Sequence, residues 1–149
     1  MKALKKVLLL IFTVGIFACN QTKNNLTHIL NFDADKEEIE IGNMLDSLNT
    51  AAAKADFKSY FNFYADSAVF TGTDATERWN KTEFMNYAKP FFDRGKAWSF
   101  TSIQRNIYFD KTGETAWFDK LLNTQMKICR GSGVAVKEGK SWKIKQYIL

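Results

Sequence analysis

The stretch 98–149, WSFTSIQRNIYFDKTGETAWFDKLLNTQMKICRGSGVAVKEGKSWKIKQYIL, decides the fold. Apolar and polar residues alternate through it with the period of a β-strand, and Gly-containing polar tetrads interrupt the alternation. The pattern predicts four consecutive strands: Trp98 to Phe109, Glu114 to Thr124, Ile128 to Val136 and Ser141 to Ile148. Asp110-Lys111-Thr112-Gly113 suits a type I turn with glycine in the left-handed position, and Glu138-Gly139-Lys140 turns the last pair. Four strands joined by such short connections form an antiparallel meander.

Upstream the period changes to that of a helix. Ile39, Ile41, Leu45, Leu48 and Ala52 mark a helix from Asp35, its expected N-cap, to about Ala55. Phe57, Tyr60, Phe61 and Tyr64 share one face of a shorter helix over 56–64. Ala68-Val69-Phe70-Thr71 reads as a short strand stopped by Gly72, and a loop follows from Thr73 to Trp79. Asn80 with Glu83 makes a capping box that opens a helix from Lys81 to about Arg94; Pro90 should kink it and Gly95 ends it. Helices first and a meander last give an α+β class. There are no repeats and no low-complexity segment.

The N-terminus carries a different signal. Lys2, Lys5 and Lys6 precede an apolar run from Val7 to Ala18, too short to cross a bilayer as a helix. Ile16-Phe17-Ala18-Cys19 resembles a bacterial lipobox, which implies a signal peptide over 1–18 and lipid on Cys19. The alternative is an ordinary signal peptide that leaves Cys19 as an idle thiol. Residues 19–34, polar and Asn-rich, read as a tether, with the single histidine, His28, solvated within it. The domain is then 35–149. Loss of the three lysines lowers the net charge from +5 to +2, no footprint for nucleic acid. Cys129 is the one cysteine left, so no internal disulfide can form, and neither thiol catalysis nor a metal site has its usual partners. No phosphate-binding glycine loop is present and no cofactor is expected. Asn20 after the cysteine points to an outer-membrane anchor facing the periplasm.

The order of elements from Lys36 to the C-terminus, with Gly72-Thr73-Asp74, Trp79, Ala116-Trp117-Phe118-Asp119, Cys129-Arg130-Gly131-Ser132-Gly133-Val134 and Trp142-Lys143-Ile144, resembles the SnoaL-like branch of the nuclear transport factor 2-like superfamily. The resemblance implies a cone, in which a strongly curved antiparallel sheet packs on the N-terminal helices and encloses a pocket. Relatives include dehydratases, isomerases, polyketide cyclases and binding domains, so it implies a cavity and no particular chemistry.

Register then proposes a site. If Asp110 pairs with Glu114, Ile107 faces Trp117, Arg105 faces Asp119 and Ile103 faces Leu121. If Glu138-Gly139-Lys140 sets the last hairpin, Val136 faces Trp142, Val134 faces Ile144, Ser132 faces Gln146 and Arg130 faces Ile148. The middle hairpin brings Asp119 near Ser132 and Leu121 near Arg130. These registers predict one buried face of Ile103, Ile107, Trp117, Leu121, Val134, Val136, Trp142 and Ile144, with Arg105, Asp119, Arg130, Ser132 and Gln146 set inside it. Charges on a buried face are paired or line a cavity. Asp119 is therefore a candidate general base, or else a bridge between two arginines that fixes the sheet. Trp117, Arg105, Arg130, Ser132 and Gln146 are candidate ligand contacts. Asp74, Glu77 and Trp79 border the expected mouth, and Tyr60, Tyr64 or Tyr87 could donate a hydroxyl.

Three functions follow: a lipid-anchored module that binds a small, partly apolar molecule, an enzyme of isomerase, dehydratase or cyclase type using Asp119, and a homodimerisation or protein-interaction domain. Phe118 and Leu122, expected on the outer sheet face, point to the third.

Overall fold

The computed structural model describes residues 32–149, so the expected signal peptide, Cys19, His28 and most of the tether lie outside the described residues. The chain forms α1 (Ala34–Ala53), α2 (Phe57–Asn62), β1 (Tyr64–Thr71), β2 (Arg78–Asn80), α3 (Lys81–Asp93), β3 (Thr101–Phe109), β4 (Thr115–Thr124), β5 (Lys127–Glu138) and β6 (Ser141–Ile148). It is an α+β fold with one curved sheet packed on N-terminal helices, as expected.

Asp33, not Asp35, caps α1: its carboxylate accepts from the Lys36 amide at 3.1 Å, which leaves Asp35 in the first turn facing the positive end of the helix dipole. Ile41, Leu45, Leu48 and Ala52 are buried, but Ile39 is 64% exposed. Residues two apart on a helix point in nearly opposite directions, so Ile39 and Ile41 cannot share a face. The expected capping box is present in α3, with reciprocal Asn80 and Glu83 bonds of 3.0 and 2.8 Å. The helix continues through Pro90 to Asp93.

The six strands lie in the order β2-β1-β6-β5-β4-β3. The meander β3 to β6 is antiparallel, whereas β1 runs parallel to β6 and returns the C-terminus to the start of the sheet. β1 is longer than the expected Ala68–Thr71, and two residues of the expected 73–79 loop, Arg78 and Trp79, form β2 beside it together with Asn80. β3 begins only at Thr101, which frees Trp98 to pack among rings.

Two of the three expected registers are displaced by one residue. The Asp110 carboxylate accepts from the Thr112 hydroxyl and from the Glu114 and Thr115 amides. It thereby closes a longer turn in which the Asp110 amide meets the Thr115 carbonyl at 2.9 Å. Arg105 consequently faces Lys120, Asn106 faces Asp119, Ile107 faces Phe118 and Gln104 faces Leu121. In the last hairpin Glu138 pairs with Ser141, leaving a two-residue loop with Gly139 at φ +64°. Lys137 rather than Val136 then faces Trp142, and Ala135 faces Ile144. An irregularity beyond Ala135 puts Gln146 opposite Val134 and Ile148 opposite Ser132. The middle hairpin has the expected pairing, Asp119 with Ser132 and Leu121 with Arg130.

A one-residue slip exchanges the faces of a strand. The buried side is Ala116, Phe118, Lys120 and Leu122 from β4, Gly131, Gly133 and Ala135 from β5, and Trp142, Ile144 and Tyr147 from β6. Trp142 and Ile144 are where the sequence placed them. Trp117 and Ile103 are not: they are 48% and 54% exposed. Leu121, Ile107, Val134 and Val136 are half-buried. Phe118 and Leu122, expected outside, are 2% and 0% exposed, so they cannot form an outer interface. Gly133 permits the close packing: a Cβ there would stand 2.3 Å from the Gln146 carbonyl and 2.7 Å from the Phe118 ring.

One polar anchor fastens α1 to this sheet. The buried Glu37 carboxylate accepts the Trp142 indole N–H at 2.6 Å and pairs with the Lys137 ammonium. Burial alone would raise its pKa; those two bonds outweigh it and hold Glu37 below the usual carboxylate value.

Candidate ligand-binding site

A cavity of about 310 Å³ opens at one end of the sheet, among β1, β6, α3 and the loop after β1. Its wall is aromatic because α3 presents Phe84, Tyr87 and Phe91 at helical spacing while Phe70, Trp79 and Trp98 converge from three other segments. Phe70 stacks on Phe84 with ring centres 4.0 Å apart, and Trp79 stacks on Tyr87 at 4.4 Å. Rings packed at these separations cover each other's inner faces and turn their edges and outer faces to the open volume, an aromatic wall that suits a flat, apolar ligand. Gln125 and Met126, at the β4–β5 turn, close one side.

The polar groups at this cavity are few. Tyr60 shares a 3.0 Å hydrogen bond with Tyr64, and burial pushes both phenols up. Each therefore stays protonated and serves as a hydrogen-bonding group, not as a base. Among the described residues Glu77 is the one side-chain carboxylate of the lining, and its Oε2 is held 3.4 Å from the Asp74 amide. Asp74 itself is exposed and outside the lining. It accepts from the Thr76 hydroxyl and amide at 2.6 and 2.8 Å, and these bonds hold its pKa down. Its position is that of a turn-forming residue.

The expected charged cluster is divided between the two faces of the sheet. Asp119 lies outside with Arg130, whose guanidinium donates to it at 2.7 Å, and with Asn106 at 3.3 Å. Ser132 stands opposite Asp119, and Trp117 stacks on Tyr108 with centres 5.9 Å apart on the same outer side. Gln146 neighbours the inward Tyr147 in β6 and so points away from it. Asp119, Arg130, Ser132, Trp117 and Gln146 therefore do not line the cavity. The cause is the slip of the β3–β4 and β5–β6 registers, and the geometric basis for Asp119 as a base inside the cone goes with it. Arg105 alone of the cluster turns inward, where its guanidinium pairs with Asp46 of α1. Trp79 and Tyr60, named from the sequence, do line the cavity.

Sequence reasoning missed Lys120. It lies on the buried face between Phe118 and Leu122, is 0% exposed, and its ammonium has no hydrogen-bond partner among the described residues. Burial, with repulsion from Arg105 and only partial compensation from Asp46, pulls its pKa down to about 7. Phe70, Phe84 and Tyr147 were also missed. The signal for Lys120 was its place in the apolar alternation Phe118, Leu122, which the wrong register had assigned to solvent. Among the described residues, no group of three or more His, Cys, Asp or Glu side chains could hold a metal.

Residues 41–149 match the SnoaL-like domain along nearly the whole folded part. The chain belongs to this family. The SnoaL-like domain also has the fold of solved structures far from it in sequence. One is an NTF2-like protein of unknown function from Pseudomonas putida KT2440, at 14% identity and TM-score 0.66, covering 77% of this chain and 86% of that one. Another is a candidate aromatic ring hydroxylase from Novosphingobium aromaticivorans, at 12% identity and TM-score 0.67, covering 78% and 90%. A third is a candidate dehydratase of the NTF2-like family from Streptomyces avermitilis, at 12% identity and TM-score 0.64, covering 78% and 96%. No curated protein matches the sequence. At such identities the likeness shows the NTF2-like fold alone.

Proposed function

We propose that this SnoaL-like domain binds a small, flat, largely apolar molecule in the cavity at the end of its sheet. The stacked pairs Phe70–Phe84 and Trp79–Tyr87 around an open volume of about 310 Å³ carry this reading. Such a volume is at the lower end of the range for small-molecule sites. Rings already held parallel lose little entropy when another ring joins them. Binding is favoured over catalysis because Glu77, the only side-chain carboxylate of the lining among the described residues, is engaged by the Asp74 amide, and burial holds the Tyr60 and Tyr147 phenols protonated.

Titrating the chain with 2-naphthylmethanol should quench the fluorescence of Trp79 and Trp98, and Trp79→Ala should weaken binding roughly tenfold, about 1.4 kcal/mol. No quenching at millimolar ligand, with the cavity filled by its own side chains, would end this reading.

The same proposal places the domain in the bacterial envelope, at the outer membrane facing the periplasm and held by lipid on Cys19. Its support is the sequence of residues 1–19. A diacylglycerol plus an N-acyl chain exceeds the two-chain requirement for stable attachment. Cells fed an alkyne fatty acid should label the protein, and Cys19→Ser should remove the label; label retained in Cys19→Ser would refute the anchor.

A further inference from the structure

Besides the Glu37–Lys137 pair, the inner face of the cone carries two cations that share one anion. Arg105 of β3 and Lys120 of β4 are directly opposed partners on the buried side. Like charges in that relation repel, and burial in a poorly polarisable interior strengthens the repulsion. Asp46 offsets one of the two charges through Arg105, and its own side chain is 58% exposed. Among the described residues two side-chain donors remain buried and unpartnered: the Nε of Arg105 and the Nζ of Lys120. Buried donors are nearly always satisfied, and one left free loses the solvation it had in water without a bond to replace it, most of all when charged.

Two concavities lie near the pair: Arg105 borders one, and the other, whose lining holds neither Lys120 nor Arg105, meets Lys120 across the Tyr147 ring. The one beside α1, which Arg105 borders, is ringed by Asp35, Glu38 and Asp46, and three carboxylates repel an arriving anion. The aromatic cavity approaches from the other side through Tyr147. That ring lines the cavity and also receives the Lys120 ammonium 5.1 Å from its centre. A Cβ on Gly131 would come within 2.9 Å of the Tyr147 hydroxyl, so glycine there leaves the phenol its place beside the lysine.

We propose that Lys120 and Arg105 form an anion-binding floor of the cone, and that the ligand is a small aromatic carboxylic acid whose ring lies against the cavity aromatics while its carboxylate reaches this pair past the Tyr147 ring. The proposal rests on the cavity reading above and deepens it. A carboxylate supplies the missing negative charge, accepts from both free donors, and gains the strength of charge-assisted bonds in a site without competing water.

The test compares 2-naphthoate with its neutral counterpart, 2-naphthylmethanol, by calorimetry on the full chain in detergent at about pH 6. The acid should bind at least about tenfold more tightly than the alcohol, as one charge-assisted bond implies. In Lys120→Met, a substitution of similar shape, the alcohol should bind as before and the acid should lose its advantage. Acid and alcohol of equal affinity in the unsubstituted protein would overturn the proposal whether or not the variant folds. An advantage for the acid that survives in folded Lys120→Met would overturn it as well. If neither compound binds, the cavity reading has failed and the anion floor falls with it; if only the alcohol binds, the cavity reading stands and the floor alone is refuted.

Discussion

Two charged clusters lie back to back on β3 and β4, the outer one reaching β5 through Arg130 and the inner one α1 through Asp46, and they differ in charge balance and in burial. On the outer face Asp119 meets Arg130 and Asn106, with side-chain exposures of 30% and 63% for the ion pair. Water reaches both partners, each charge has its counter-charge, and the arrangement resembles any surface pair. On the inner face Arg105 and Lys120 share a single carboxylate, and Lys120 is wholly buried. The outer cluster is satisfied and therefore mild in its effects. The inner one is incomplete, and incompleteness in a low-dielectric interior is where protein charge becomes functionally informative.

The largest expected effect that sharpens this contrast is at Lys120. A lysine whose folded pKa has fallen from the ordinary value of about 10.4 to about 7 opposes folding while it is protonated. The unfolded chain holds the extra proton between those values, so this group makes stability rise with pH from about 7 towards 10, at roughly 1.4 kcal/mol per pH unit. Below about pH 7 its penalty is fully present and its slope vanishes. The phenols of Tyr60, Tyr64 and Tyr147 titrate above this range because burial raises them. Denaturant titrations at several pH values should show the rise. Lys120→Met should abolish it and stabilise the protein at neutral pH by on the order of 3–4 kcal/mol, as replacing an uncompensated buried charge with a matching apolar side chain does. A variant that is less stable at every pH would break the contrast.

The smallest expected effect is on the other face. Asp119→Asn removes one partner of a half-exposed ion pair, and should change stability by less than about 1 kcal/mol. It should leave the affinity for 2-naphthylmethanol unchanged. A loss of affinity beyond about threefold would mean that the outer cluster communicates with the cavity, and that its charges are not the ordinary surface pair described above.

The comparison also explains how far the sequence could be read. Alternation over 98–149 was sufficient for the strands of the meander, and helical spacing with the Asn80–Glu83 box was sufficient for α3. These signals are local: hydrogen bonds and side-chain direction repeat within a few residues. The faces of β4 were not legible, because both of its parities are apolar enough to be buried: Trp117 and Leu121 on one, Phe118 and Leu122 on the other. Choosing between them depended on turn length. The Asp110 carboxylate lengthens one turn by gathering three donors, and Gly139 shortens the other. Each difference is a single residue, and each reverses the side on which a charge is placed. Trp79 and Tyr60 were found because their candidacy came from the loop after β1 and from α2, neither of which depends on strand register.

By itself the sequence determined the class of fold, the order of its elements, the aromatic supply for a cavity and the lipobox-like start, since each is written in neighbouring residues. The tertiary structure alone decided which charges are buried. It carried Asp119 and Arg130 to water and set Lys120 against Arg105 inside the cone, because burial depends on turn geometry, on strand irregularities and on the helix laid across the sheet, and none of these is a property of a residue and its neighbours alone.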